Sequence, residues 1–117
     1  MSMQKRCILP HPCNGPLYQN WTETDFFLKM AEEFGEVGKA FESLRAAERD
    51  GLPKDEWTRR WWTLMEECTD LKVATTSLME RCGCTKAARQ ILMNYVNNRN
   101  ARRDDGKRFA RGDDDVE

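Results

Sequence analysis

After residue 16 a single proline, Pro53, interrupts the chain, and this spacing constrains the fold more than any other feature. Proline removes a backbone donor and clashes with the preceding turn, so it breaks helix interiors. Pro10, Pro12 and Pro16 fall in the first 20 residues together with the turn signal Asn14-Gly15, so residues 1–20 are expected to form an irregular lead-in. From Trp21 the chain is free to be helical. Thr22 or Thr24 can cap a helix over about 23–49, ended by Gly51-Leu52-Pro53. Pro53 suits the first turn of a second helix, with Asp55 and Glu56 at its positive end and Gly83 as a left-handed cap after Arg81-Cys82. Thr85 caps a third helix, running to about Arg102. No window alternates apolar and polar residues as a half-buried strand would. The expectation is all-α: an antiparallel helical bundle of two long helices and a C-terminal third, with the helical domain over 21–103 and a tail over 104–117. That tail is basic at first and then acidic, and it is expected to be mobile.

With 117 residues the chain amounts to one domain, small for a fold that must also enclose a substrate, so part of any pocket is expected from a second copy. A formal net charge of −1 with 33% charged residues gives no global basic field, and no stable nucleic-acid complex is expected. Five cysteines without paired metal-ligand spacing fit a reducing, cytoplasmic compartment. A mean hydropathy of −0.81, with no apolar run near the ~20 residues of a membrane span, fits a soluble protein without a membrane partner.

Charge matters by position. The first helix carries Glu32-Glu33-Phe34-Gly35-Glu36 and the second Glu66-Glu67-Cys68-Thr69-Asp70. Acids three or four residues apart share a helix face and repel. At about 100° per residue, the first apolar stripe is Phe26, Met30, Phe34, Val37, Phe41 and Leu44, with Glu33 at its edge. The second is Trp57, Trp61, Leu64, Cys68, Leu71, Thr75 and Leu78, with Glu67 at its border. Glu36 and Asp70 lie further round on the same side as their partners. An arbitrary pair of glutamates is usually a solvated face, but a carboxylate at a core edge is costly unless it is paired or metal-bound. Convergence of Glu33, Glu36, Glu67 and Asp70 would call for a hard divalent cation with oxygen ligands. Mg²⁺ fits best, since it takes a few carboxylates and keeps positions for water and phosphate oxygens. A di-iron bundle needs two Glu-x-x-His pairs, and the chain has only His11.

These motifs resemble those of the MazG-like pyrophosphohydrolases, a superfamily that also includes the all-α dimeric dUTPases. Glu32-Glu33-x-x-Glu36 followed by Glu67-x-x-Asp70 is similar to the EExxE and ExxD signature. Asn100-Ala-Arg-Arg103 followed by Asp105-Gly106-Lys107 is similar to the Asn-x-x-Lys/Arg and Asp-Gly-Lys ending, so the likeness spans about residues 23–109. The resemblance implies Mg²⁺ at Glu33, Glu36, Glu67 and Asp70, with Glu32 in support. In the mechanism expected on that basis one of these acids, or Glu32, takes the proton of the attacking water, with Glu32 and Glu33 as the catalytic candidates. Asn100 would meet the sugar or base of a nucleoside triphosphate, and Arg103 and Lys107 its phosphates. Cleavage would fall between the α- and β-phosphates, giving nucleoside monophosphate and pyrophosphate.

The tryptophan-rich stretch Trp57 to Trp62 belongs to no motif of that family, and aromatic residues at helical spacing read as core or subunit contacts. A chain of this size, rich in tryptophan and methionine, is expected to form a homodimer or homotetramer. The alternative of a different class is a non-catalytic helical interaction module whose acidic patch and basic tail bind a protein.

Overall fold

Thr22 begins the first helix with reciprocal hydrogen bonds. The Asp25 backbone N–H donates to the Thr22 hydroxyl at 3.1 Å and the Thr22 N–H to the Asp25 carboxylate at 2.8 Å, a capping box that satisfies donors a helix start leaves bare. Helix α1 then runs over Glu23–Arg49. Gly51 ends it at φ +63°, in the left-handed region that favours glycine. The Gly51 N–H meets the Glu48 carbonyl at 3.3 Å and the Leu52 N–H the Ala47 carbonyl at 3.0 Å, the two bonds of a Schellman turn. Helix α2 covers Lys54–Arg81, and Pro53 is its N-cap, one position before the first turn where its sequence would place it. Gly83 closes α2 at φ +94°, and its N–H reaches the Glu80 carbonyl at 2.9 Å. Helix α3, Lys86–Arg102, starts on the Thr85 hydroxyl, which accepts from the Ala88 N–H at 3.1 Å.

The computed structural model describes residues 9–103 and Lys107, so the tail over 104–117 lies otherwise outside the described residues. Among the described residues the secondary structure is all helical, and no helix is long and apolar enough to cross a membrane. The chain divides into two compact units, Met1–Gly83 and Cys84–Glu117.

In the first unit α1 and α2 form an antiparallel hairpin, as the order of their contacts shows. The Trp57 indole N–H donates to Glu48 at 3.2 Å, the Arg60 guanidinium to the Ser43 carbonyl at 2.8 Å, and Glu33 lies opposite Glu67 and Asp70. Near the turn the core consists of Ala40, Leu44 and Leu64, with Val37, Trp57, Trp61, Met65 and Cys68 packed around them. Burying each of the two leucines contributes about 1.5–3 kcal/mol.

The buried line of α1 is rotated from the stripe read in the sequence. Phe26, Ala40, Leu44 and Ala47 are buried, whereas Phe34 is 68% and Phe41 51% exposed. Packed against α2 within its unit, α1 buries a narrow arc, and the small Ala40 and Ala47 let α2 approach where phenylalanine would hold it off. Gly35 and Gly38, inside α1, have open space where a side chain would stand, so among the described residues neither serves a close approach by a neighbour. The lead-in contains one short 3₁₀ turn, Pro16–Tyr18, with proline at its start. In the second unit the apolar residues of α3 (Ile91, Leu92, Met93 and Tyr95) are exposed.

Candidate metal and phosphate site

Past the apolar core, at the open end of the hairpin, the facing positions of α1 and α2 are acidic. Glu33 from α1 and Glu67 and Asp70 from α2 each offer a carboxylate oxygen within 4.8 Å of the others. Glu33 and Glu67 are half-buried and Asp70 is exposed. The helical phase that placed the two glutamates at core edges thus puts them face to face. Burial, followed by the charges of Asp70, Glu33, Glu36 and Glu66, pushes the Glu67 carboxyl up from the usual 4.5.

Glu36, the fourth acid expected to hold the cation, lies outside that close trio. Its carboxylate meets Lys39 Nζ at 3.3 Å, although its charge still bears on Glu67. Glu32 is exposed and lies 3.5 Å from Lys29 Nζ. Lys29 is the functional group that the sequence reading passed over: its ammonium stands 3.2 Å from Glu33, and the hydrogen bond to Glu33 raises its pKa against the opposing effect of burial. The (i, i+4) spacing of Lys29 and Glu33 was the available signal, obscured by attention to acids alone. Asn100 and Arg103 lie at and just beyond the end of α3 in the second unit, Asn100 half-buried and Arg103 exposed, and Lys107 beyond them is exposed.

The lead-in forms a wall beside the acids. Ser77, buried on α2, accepts a hydrogen bond from the Cys13 backbone N–H at 2.7 Å and donates to the Val73 carbonyl at 2.7 Å. Asn14 donates to Glu80 at 3.1 Å. Tyr18, Trp21 and Phe26 pack ring against ring, with centroids 4.8 to 5.9 Å apart. Beneath them is a cavity of about 230 Å³ that reaches Glu33, Asp70 and Lys29 at one side and Tyr18, Phe26 and Ser77 at the other. No family model, curated protein or solved structure matches the chain.

The donor set is oxygen only, supplied by carboxylates on two helices, with no histidine or thiolate in the trio. It suits a hard divalent cation, and Mg²⁺ more than a softer metal. Among the described residues Lys29 brings a positive charge to the trio, through Glu33. A divalent ion held by Glu33, Glu67 and Asp70, with Glu36 nearby, would offset the burial and then the repulsion that raise the Glu67 pKa.

Proposed function

We propose that this chain is a Mg²⁺-dependent nucleoside triphosphate pyrophosphohydrolase, releasing nucleoside monophosphate and pyrophosphate. The observation that supports this most is the meeting of Glu33, Glu67 and Asp70 across two helices, with Glu67 left among like charges. In this reading Glu33, Glu67 and Asp70 hold the cation, and Glu36 joins them when it leaves Lys39. Mg²⁺ there would supply neutralisation of phosphate charge and orientation of a water for in-line attack. Glu33, held by Lys29, or Glu32 beside it accepts the proton of that water. Asn100 is assigned to the sugar or base, and Arg103 and Lys107 to the leaving pyrophosphate, where cationic donors stabilise developing charge.

The same reading includes an antiparallel bundle completed by another copy, as a homodimer or homotetramer. Its support is the exposure of Phe27, Phe34, Phe41 and Trp62 on the hairpin and of the apolar residues of α3. Sedimentation at micromolar concentration should show a species larger than a monomer. Those exposed aromatics also suit the second reading, an interaction module without turnover, and Mg²⁺ separates the two. The enzyme should gain thermal stability with Mg²⁺ and more with nucleotide, whereas the module should be indifferent to both. Chromatography of the initial products decides the bond: nucleoside diphosphate and orthophosphate would overturn the assignment even if every acid proved essential.

A further inference from the structure

We infer that Lys29 is a built-in counter-ion of the acidic site, which occupies Glu33 in the metal-free protein and weakens the hold of Glu33, Glu67 and Asp70 on a divalent cation. The inference rests on the cation site of the hydrolase reading and concerns what sets its affinity. Three observations carry it: the place of the ammonium, the order of the two residues and the carboxylate they share.

Lys29 Nζ lies 3.2 Å from Glu33 and 3.5 Å from Glu32, so one charge answers two neighbouring acids of α1. The Glu33 side chain is 13% exposed and that of Lys29 35%, whereas in the Lys39–Glu36 pair the lysine is 79% and the glutamate 42% exposed. Water screens the more exposed pair, and the attraction between Lys29 and Glu33 is accordingly the stronger.

The order of the residues points the same way. A glutamate four positions before a lysine supports a helix better than the reverse, and here the lysine comes first. Support of α1 by itself favours the other order, so the pair is better explained by the acids it faces. Glu33 is the acid that α1 contributes to the trio, and Glu67 and Asp70 meet it from α2.

The shared carboxylate makes the two cations competitors. Glu33 serves the ammonium and would also serve an ion held with Glu67 and Asp70. Mg²⁺ sits about 2.1 Å from its oxygen ligands. With the ammonium 3.2 Å from the same carboxylate, ion and ammonium stand closer than the ~8 Å over which physiological salt screens charge. They repel, and each weakens the other's hold on Glu33. Linkage makes the effect reciprocal: removal of the Lys29 charge tightens the ion, and arrival of the ion loosens Lys29.

The experiment titrates the full chain with MgCl₂ by isothermal titration calorimetry, at fixed ionic strength and without nucleotide, and records thermal melts in EDTA. Lys29→Met and Lys29→Gln remove the charge, Lys29→Arg keeps it, and Arg45→Met removes a charge further along α1, where Arg45 pairs with Glu48. Each variant is checked for its helical spectrum by circular dichroism. The two neutral variants should bind Mg²⁺ about tenfold more tightly than the parent, a usual size for coupling between two sites, and should melt at a lower temperature in EDTA. Lys29→Arg and Arg45→Met should keep the parent Kd within about twofold. A lower melting temperature in EDTA with unchanged or weaker Mg²⁺ binding in the neutral variants is what a merely structural ion pair gives. It would overturn the inference and leave the cation site standing. Equal tightening in Arg45→Met would also overturn it, by showing a response to net charge alone. Absence of Mg²⁺ binding in the parent and every variant would overturn the cation site itself, and the role of Lys29 with it.

Discussion

Glu56 and Glu67 of helix α2 stand eleven residues and about three turns apart, and therefore on nearly the same face, yet their surroundings are opposite. Glu56 is met by the guanidinium groups of Arg59 and Arg60, whose hydrogen bonds lower its pKa from 4.5 to about 2. Glu67 is desolvated and ringed by Asp70, Glu33, Glu36 and Glu66, which raise its pKa. Among the described residues the protein sets guanidinium groups against one acid and further acids around the other. Glu56 is thereby explained as part of the fold, because Arg60 also reaches across to the Ser43 carbonyl of α1. A cation bound beside Glu67 would offset the like charges around it.

The widest gap between the two should appear in turnover. Glu67→Gln or Glu33→Gln should lower kcat by about 10²–10⁴ while the helical spectrum is retained, and Asp70→Asn should act likewise. Glu56→Gln should leave kcat near the parent value. A Glu33→Gln enzyme with near-normal rate under saturating Mg²⁺ would break the contrast.

Metal response comes next. Mg²⁺ at a hundred times its dissociation constant should stabilise the parent by about 2.7 kcal/mol, a shift of several degrees in Tm. Glu67→Gln should lose most of that shift and Glu56→Gln should keep it, as differential scanning fluorimetry will show. Equal Mg²⁺ responses in the two variants would place the cation elsewhere.

Much of this contrast could be read without coordinates. Helix ends follow local chemistry, so Thr22, Thr85 and Gly83 marked them correctly. Facing acids follow from helical phase, which brought Glu33 opposite Glu67 and Asp70. Side chains that answer to a distant neighbour were not legible: Phe34 and Phe41 belong to the apolar pattern but lie outside the arc that α2 covers. Nothing near Cys13 in sequence announces Ser77. Lys29 was legible in principle, because its spacing to Glu33 is local, but a reading organised around acids did not weigh it.

A smaller effect separates fold from site by a cation. Arg60→Met removes the hydrogen bonds to Glu56 and to the Ser43 carbonyl and should lower Tm by a few degrees, with the Mg²⁺ shift unchanged. A change in the Mg²⁺ shift would show that the two ends of the hairpin are coupled.

The subtlest test is pH, where the two acids have opposite signs. In EDTA, the raised pKa of Glu67 means that its favourable contribution is complete below the unfolded value near 4.5 and is lost as pH rises through the folded value. Glu67→Gln should therefore be more stable than the parent at pH 7, and the gap should close as pH falls. Glu56 has a lowered pKa, so its contribution is present above 4.5 and lost as pH falls toward about 2. Glu56→Gln should be the less stable protein at pH 7 and converge with the parent only in that acidic range. Thermal melts from pH 7 down to 2 will show both gaps.

The bond from the Cys13 N–H to the Ser77 hydroxyl joins residues 64 apart in sequence, and its neighbour from Asn14 to Glu80 spans 66. The hairpin, by contrast, zips outward from the turn at residues 50–53 through contacts that begin only nine residues apart. During synthesis the lead-in emerges first, yet it has nothing to dock on until the last turns of α2 exist. The wall of the cavity is thus made before the helices it leans on and settles after them. In the finished protein hydrogen bonds such as these and the edge-on and tilted packing of Tyr18, Trp21 and Phe26 hold that wall, less than the interface of two long helices. In native-state hydrogen exchange the Cys13 amide should therefore report openings that leave the hairpin amides protected.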